Sequence, residues 1–319
     1  MKRMLHMFRA LASDRRYRLL LTMSVAILSL AASLSPLGVA VVRAAPARPL
    51  SGCCVDAVHT ATAENSYYDF TLLTDLVQGY DVFADPNMVI TVTATWDPNG
   101  NCGCVYDTHT LGVWYNGNRW AIFHEDQTPI PLGATYNLLT MFAHNSIHNA
   151  YTHTATLSNS SGNSTYLDDP GANFSPNAVI IATQNLSPSG QSCCVFNNHP
   201  IGVWFTGSYW AVFNENNAPI PVGASFNVLV EPVSTFAIFT QRATSAYYID
   251  YINNAWINNH PQRMVFVTPN WNPAGQCPCM FDTHPLGVYY DTYYAQWSIY
   301  HQDIAPMSVG EAFNVFAVG

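Results

Sequence analysis

Three histidines stand at matching places in the chain, His109, His199 and His284, each three residues ahead of a glycine, Gly112, Gly202 and Gly287. A histidine with a carboxylate beside it is raw material for general acid and base catalysis, because the carboxylate fixes the ring's tautomer and orientation. Asp107 and Asp282 supply that neighbour two residues upstream, but the middle copy has Asn197 there. A carboxylate required for chemistry is not exchangeable for an amide. The sequence therefore predicts a structural ring that closes the turn before each glycine by hydrogen bonding. The acidic pair Glu125-Asp126 likewise becomes Glu215-Asn216 and Gln302-Asp303, so no fixed pair of carboxylates runs through the copies, and the looped ligand spacing of a calcium site is missing. Neither a Gly-x-Ser-x-Gly elbow nor a His-Glu-x-x-His pair occurs. No catalytic residue, no metal and no cofactor is expected.

Cysteine is the other reactive type. Its eight copies form four close pairs, Cys53-Cys54, Cys102-x-Cys104, Cys193-Cys194 and Cys277-x-Cys279, and Cys104, Cys194 and Cys279 each fall five residues before the repeat histidine. An even count in an exported chain favours disulfides. Structural zinc usually takes two-residue spacings, and a reactive thiolate needs a nearby cation or helix N-terminus. Because a bridge between near neighbours closes a small ring, each pair is expected to reach another part of the structure, from domain to domain or chain to chain.

The elements that must position these residues are written three times. His109 to His199 is 90 residues and His199 to His284 is 85, and each copy continues Gly-Val-aromatic-aromatic, passes Trp120, Trp210 or Trp297, and closes on Tyr136-Asn137-Leu138, Phe226-Asn227-Val228 or Phe313-Asn314-Val315. A solenoid or propeller unit has about 20–50 residues, whereas a unit of this size can bury a core of its own. Met88 to Trp96, rich in β-branched residues between turn signals, reads as a strand repeated at Ala178 to Thr183 and Met264 to Thr268. Gly112 to Tyr115 and Trp120 to Phe123, joined through Asn116-Gly117, read as a hairpin in which Val113 and Tyr115 face one way and Trp114 the other. Trp120, Trp210 and Trp297 are expected to fill the cores, with a sugar-stacking platform as the rival reading. The expected fold is all-β: three tandem small β-sandwich or barrel-like domains, residues 51–143, 144–234 and 235–319. The third copy carries a longer turn, Asp291 to Gln296, where the others have Asn116 to Arg119 and Thr206 to Tyr209.

Ahead of the repeats, residues 1–18 are basic and Leu19 to Val42 are free of charge, ending at small residues near Ala45-Pro46-Ala47. This predicts a signal peptide over residues 1–47, with an uncleaved anchor as the alternative; membrane contact is expected only through that segment if it is retained. Beyond Ala47 only Arg48, Arg119, Arg242 and Arg263 are basic against 19 acidic residues, a formal charge of 4 − 19 = −15, and no lysine occurs. Nucleic-acid binding, which needs clustered cations, is excluded, as is chemistry that depends on a lysine amine.

Val267-Thr268-Pro269-Asn270-Trp271-Asn272-Pro273, the run His284 to Tyr290 and Phe313-Asn314-Val315 together resemble a secreted bacterial repeat module catalogued as a domain of unknown function, over about residues 56–319. The resemblance implies export and modularity and brings no site residues. The sequence thus predicts an exported, non-enzymatic structural or adhesive protein of the cell surface that self-assembles or meets glycans and other surface components; a carbohydrate-binding protein using exposed Trp and Tyr is the alternative, and an extracellular hydrolase the second.

Overall fold

The structure, a computed structural model, describes residues 54–75, 81–96, 104–143, 148–190, 194–233 and 237–319. The expected signal segment, residues 1–47, and Cys53, Cys102 and Cys193 lie outside these. The first repeat forms β1 (Cys54–Thr60), β2 (Ser66–Tyr67), β3 (Phe70–Leu72), β4 (Met88–Thr95), β5 (Leu111–Tyr115), β6 (Trp120–His124) and β7 (Thr135–Phe142). The second forms β8 (Asn149–Thr154), β9 (Ser160–Ser161), β10 (Ser164–Leu167), β11 (Val179–Asn185), β12 (Ile201–Phe205), β13 (Trp210–Asn214) and β14 (Ser225–Glu231). The third forms β15 (Ile238–Arg242), β16 (Ile249–Tyr251), β17 (Met264–Pro269), β18 (Leu286–Asp291), β19 (Gln296–His301) and β20 (Ala312–Val318).

Each repeat is a two-sheet sandwich. The inner sheet sets the last strand between the first strand and the long middle strand, antiparallel throughout: β1-β7-β4, β8-β14-β11 and β15-β20-β17. The outer sheet is the expected hairpin extended by a short strand: β5-β6-β3, β12-β13-β10 and β18-β19-β16. Between them lies a core centred on Trp120, Trp210 or Trp297, each at most 1% exposed. Each indole N–H donates to a backbone carbonyl, of Asp85 (2.8 Å), Ser175 (3.0 Å) and His260 (3.1 Å), so the large ring is buried without leaving its polar atom unpaired. Val113 and Tyr115 point into this core while Trp114 stays half-exposed, as the alternation demands.

Each repeat thus has a core of its own, and the repeats also share sheets. The inner sheet of each continues into the outer sheet of another through a short parallel contact. Ala94 and Thr95 of β4 pair with Gly287 and Val288 of β18, Gln184 and Asn185 of β11 with Gly112 and Val113 of β5, and Asn270, just past β17, bridges to Val203 of β12. The first repeat leans on the third, the second on the first and the third on the second, which closes a ring. A fourth apolar cluster sits where the inner sheets meet, with Val89, Leu139 and Met141 from the first repeat, Val179, Ile181 and Leu229 from the second, and Phe266 and Phe316 from the third. The inner strands are thus buried on both faces, which accounts for their near-continuous runs of Val, Ile, Leu and Thr.

Side chains repeat the cycle. The buried amides of Asn137, Asn227 and Asn314 donate to the carbonyls of Val265, Ile90 and Ile180 at 3.1, 3.0 and 3.0 Å, each in a different repeat from the donor. The hydroxyls of Thr93, Thr183 and Thr268 accept from the backbone N–H of Val267, Val92 and Ala182 at 3.2, 3.1 and 3.0 Å. On leaving β4, β11 or β17 the chain crosses the neighbour's hairpin as a strap: Tyr106 meets Tyr300, Phe196 meets Phe123 and Phe281 meets Phe213, all edge to face at 6.0–6.1 Å.

Candidate functional site

The first and third straps with their histidine turns, the start of the second repeat's hairpin and the ends of three inner strands converge on one depression enclosing about 720 Å³, part of it open to solvent. Its lining is the same in kind from each repeat: Thr93, Thr183 and Thr268 from the inner strands, and Leu111, Ile201 and Leu286 from the starts of the hairpins. His109, His284, Asp107 and Asp282 complete it from the first and third repeats, and Pro200 from the second. The ring thus brings His109 and His284, 284 − 109 = 175 residues apart in the chain, to a single mouth.

The histidine rings do not close their own turn. His109 Nδ1 lies 2.7 Å from Asp126 and His284 Nδ1 2.7 Å from Asp303, in the turns that follow β6 and β19, while His199 Nδ1 meets the Asn216 amide at 2.9 Å. Burial raises the Asp126 and Asp303 carboxyls, and hydrogen bonds, from Thr128 and His109 to Asp126 and from His284 and Ala305 to Asp303, more than reverse it, leaving both below the usual carboxylate range. A second histidine stacks beneath each of the outer pair, His124 under His109 at 4.6 Å and His301 under His284 at 4.7 Å. Asp107 and Asp282 face these second rings: His124 Nε2 is 3.0 Å from Asp107, and His301 Nε2 is 3.5 Å from Asp282.

His124 and His301 lie outside the repeated histidine motif and do not stand out in any single copy. Their signal was joint substitution: Asp107, His124 and Asp126, or Asp282, His301 and Asp303, become Asn197, Asn214 and Asn216 together in the middle repeat. There the two amides exchange hydrogen bonds at 2.8 and 3.0 Å, and Asn214 donates to the Ala218 carbonyl at 3.1 Å just as the ring nitrogen of His124 meets that of Thr128 at 3.0 Å and that of His301 that of Ala305 at 2.8 Å. The middle repeat keeps the framework with no ionisable partner for its histidine.

Three clusters bring their ligand atoms within 4.8 Å of one another and have the donor types to hold a metal ion: His109, His124 and Asp126; His284, His301 and Asp303; and Asp282, His301 and Glu311. In the first two the inner ring already spends one nitrogen on a backbone carbonyl and turns the other to Asp107 or Asp282. Neutral amides satisfy the same framework in the middle repeat, whereas in the third His301 Nε2 and Asp282 Oδ2 are buried without a hydrogen-bond partner.

Glycine is required in the histidine motif by what lies over it. A Cβ on Gly112 would meet the Phe123 ring at 2.6 Å and the Glu125 carboxylate at 2.8 Å, and one on Gly287 would meet the Tyr300 ring at 2.6 Å. Glu125 and Glu215 in turn accept the backbone N–H of Asn197 and Asp282 at 3.1 Å each, and Gln302 that of Asp107 at 3.2 Å, tying every strap to its neighbour. Burial pushes the Glu125 carboxyl up to about 8. Burial, with the charge of Asp282, pushes that of Glu215 higher than the usual range as well.

For one pair of cysteines the pairing differs from the expectation of a distant bridge. Cys277 bonds to Cys279, two residues away, within the strap of the third repeat, and Cys54, Cys104 and Cys194 are also in disulfides. The short ring is accommodated because Cys279 takes a left-handed backbone, φ 57°, and Cys104 takes the same, φ 53°. Each donates its N–H to the tryptophan that opens the strap, Cys104 to Trp96 at 3.1 Å and Cys279 to Trp271 at 2.9 Å.

A family model described as Domain of unknown function (DUF7452) matches the chain three times, over residues 55–140, 139–230 and 209–317. No curated protein and no solved structure matches it.

Proposed function

We propose that this chain, which belongs to the DUF7452 family in all three of its repeats, is an exported, non-enzymatic structural or adhesive protein of the cell surface. One observation carries the non-enzymatic part: the middle repeat replaces the Asp-His-Asp set by three asparagines and keeps the bonds between strap, hairpin and following turn. A constellation that works equally well as neutral amides is a joint, and joints are what a rigid ring of repeats needs. Export is supported by the basic and then apolar N-terminal sequence and by the cysteine usage. Among the described residues no helix is long and apolar enough to cross a membrane. Protease treatment of intact producing cells tests the reading: the protein is expected to be degraded, or recovered in the medium, while a cytoplasmic marker survives. Full protection until the cells are lysed overturns it.

A further inference from the structure

The third repeat departs from its siblings in one place the fold does not require, and we infer that this place, the β18–β19 turn with Tyr251 and Tyr289 beside it, is a binding site for a neutral carbohydrate chain. The inference rests on the adhesive reading and names its ligand. The first two repeats close this hairpin with Asn116 to Arg119 and Thr206 to Tyr209; the third inserts Asp291 to Gln296. At its tip Tyr293 is 86% and Tyr294 58% exposed. Adjacent large rings held in water contribute nothing to the core, so they call for an explanation outside it.

The rings are held in place. Asp291 accepts four hydrogen bonds: from the N–H of Tyr293 and Tyr294 at 2.8 and 3.1 Å through Oδ1, and from the hydroxyls of Tyr251 and Tyr289 at 2.8 Å each through Oδ2. Tyr294 then stands edge to face against Tyr251 at 5.1 Å and against Tyr293 at 4.9 Å, making a corner of perpendicular faces. Fixing the rings before a ligand arrives removes the ordering cost of binding. Tyrosine faces suit the C–H side of a sugar ring, and their oxygens accept from its hydroxyls. The charge at the corner is the Asp291 carboxylate and the chain beyond Ala47 is strongly acidic, so anionic glycans and phosphates are disfavoured and an uncharged polyhydroxyl ligand is favoured. The matching sheet positions elsewhere hold Leu72 and Trp114, or Tyr166 and Trp204, and Asn116 and Thr206 stand in the place of Asp291, where they accept the turn N–H bonds but no tyrosine hydroxyl, so the third repeat carries the site by itself.

Native electrophoresis of the full chain through gels containing galactomannan, mixed-linkage β-glucan or starch tests the inference. Retarded migration is expected in at least one gel. It should weaken about tenfold in apparent affinity in Tyr293→Ala/Tyr294→Ala, and stay unchanged in Tyr68→Ala, a control that removes another exposed ring, 72% accessible. All three of these rings are at the surface, so folding is not at stake. Equal retardation of the double variant overturns the site, and no retardation in any gel overturns the ligand class. If the double variant instead loses attachment to intact cells without any polysaccharide binding, the partner is a protein or lipid: the carbohydrate inference falls and the adhesive reading stands.

Discussion

Glu125 shows how much a single residue can report in this protein. Its carboxyl is buried and holds its proton up to about pH 8, against 4.5 for the free group. The folded chain therefore binds a proton that the unfolded chain releases between those values, so stability from this group is complete below pH 4.5 and is lost as pH rises through 8. Gln302 fills the same role in the third repeat without a charge. Glu125→Gln should gain on the wild type as pH rises from 5 to 8, at about 2–4 °C in Tm for each kcal/mol recovered. Thermal melts across that range check it, and a difference that does not change with pH would mean that the carboxyl is ionised in the fold. At this scale the sequence was partly legible. Gly112 and Trp120 declare themselves by residue type, because only glycine clears Phe123 and only a core accepts a tryptophan in all three copies. Asn137 does not, because its partner, the Val265 carbonyl, is supplied by another repeat.

Among the elements, the straps carry the largest revision. A bridge from Cys277 to a distant repeat would have closed a long loop and contributed several kcal/mol; the one found closes three residues, worth about 1.5 kcal/mol in lost chain entropy. Cys277→Ser/Cys279→Ser should accordingly lower Tm by only a few degrees. A loss comparable to a core truncation would show that the bridge anchors the strap against Trp271. The strands themselves were legible: the hairpins, the buried tryptophans and the turn at Gly117, φ 96°, all follow from alternation and turn chemistry. The straps were not, because Tyr106 and Phe281 read as ordinary loop aromatics until the neighbour's Tyr300 and Phe213 are beside them.

For the whole molecule, repetition gave the number of sandwiches but not their closure into a ring. Period and strand pattern are local quantities, and a closed ring is a relation between the first copy and the last. Cut from its neighbours, residues 144–234 would expose Val179, Ile181 and Leu229 and lose the Asn227 bond to Ile90. That piece should not behave as a cooperatively folding monomer. Sedimentation and thermal melts would check it, and a stable monomer with a sharp transition would mean that the shared cluster adds little.

Closure also sets the order in which the chain can mature. Gly287 pairs with Ala94, 287 − 94 = 193 residues earlier, so one edge of the first inner sheet has no partner until most of the third repeat has been synthesised. Contacts of such long range are slow to form and leave strand edges open meanwhile. A nascent chain thus carries an unfinished first sandwich until the third hairpin is made, and stays pliable until that hairpin locks all three repeats at once.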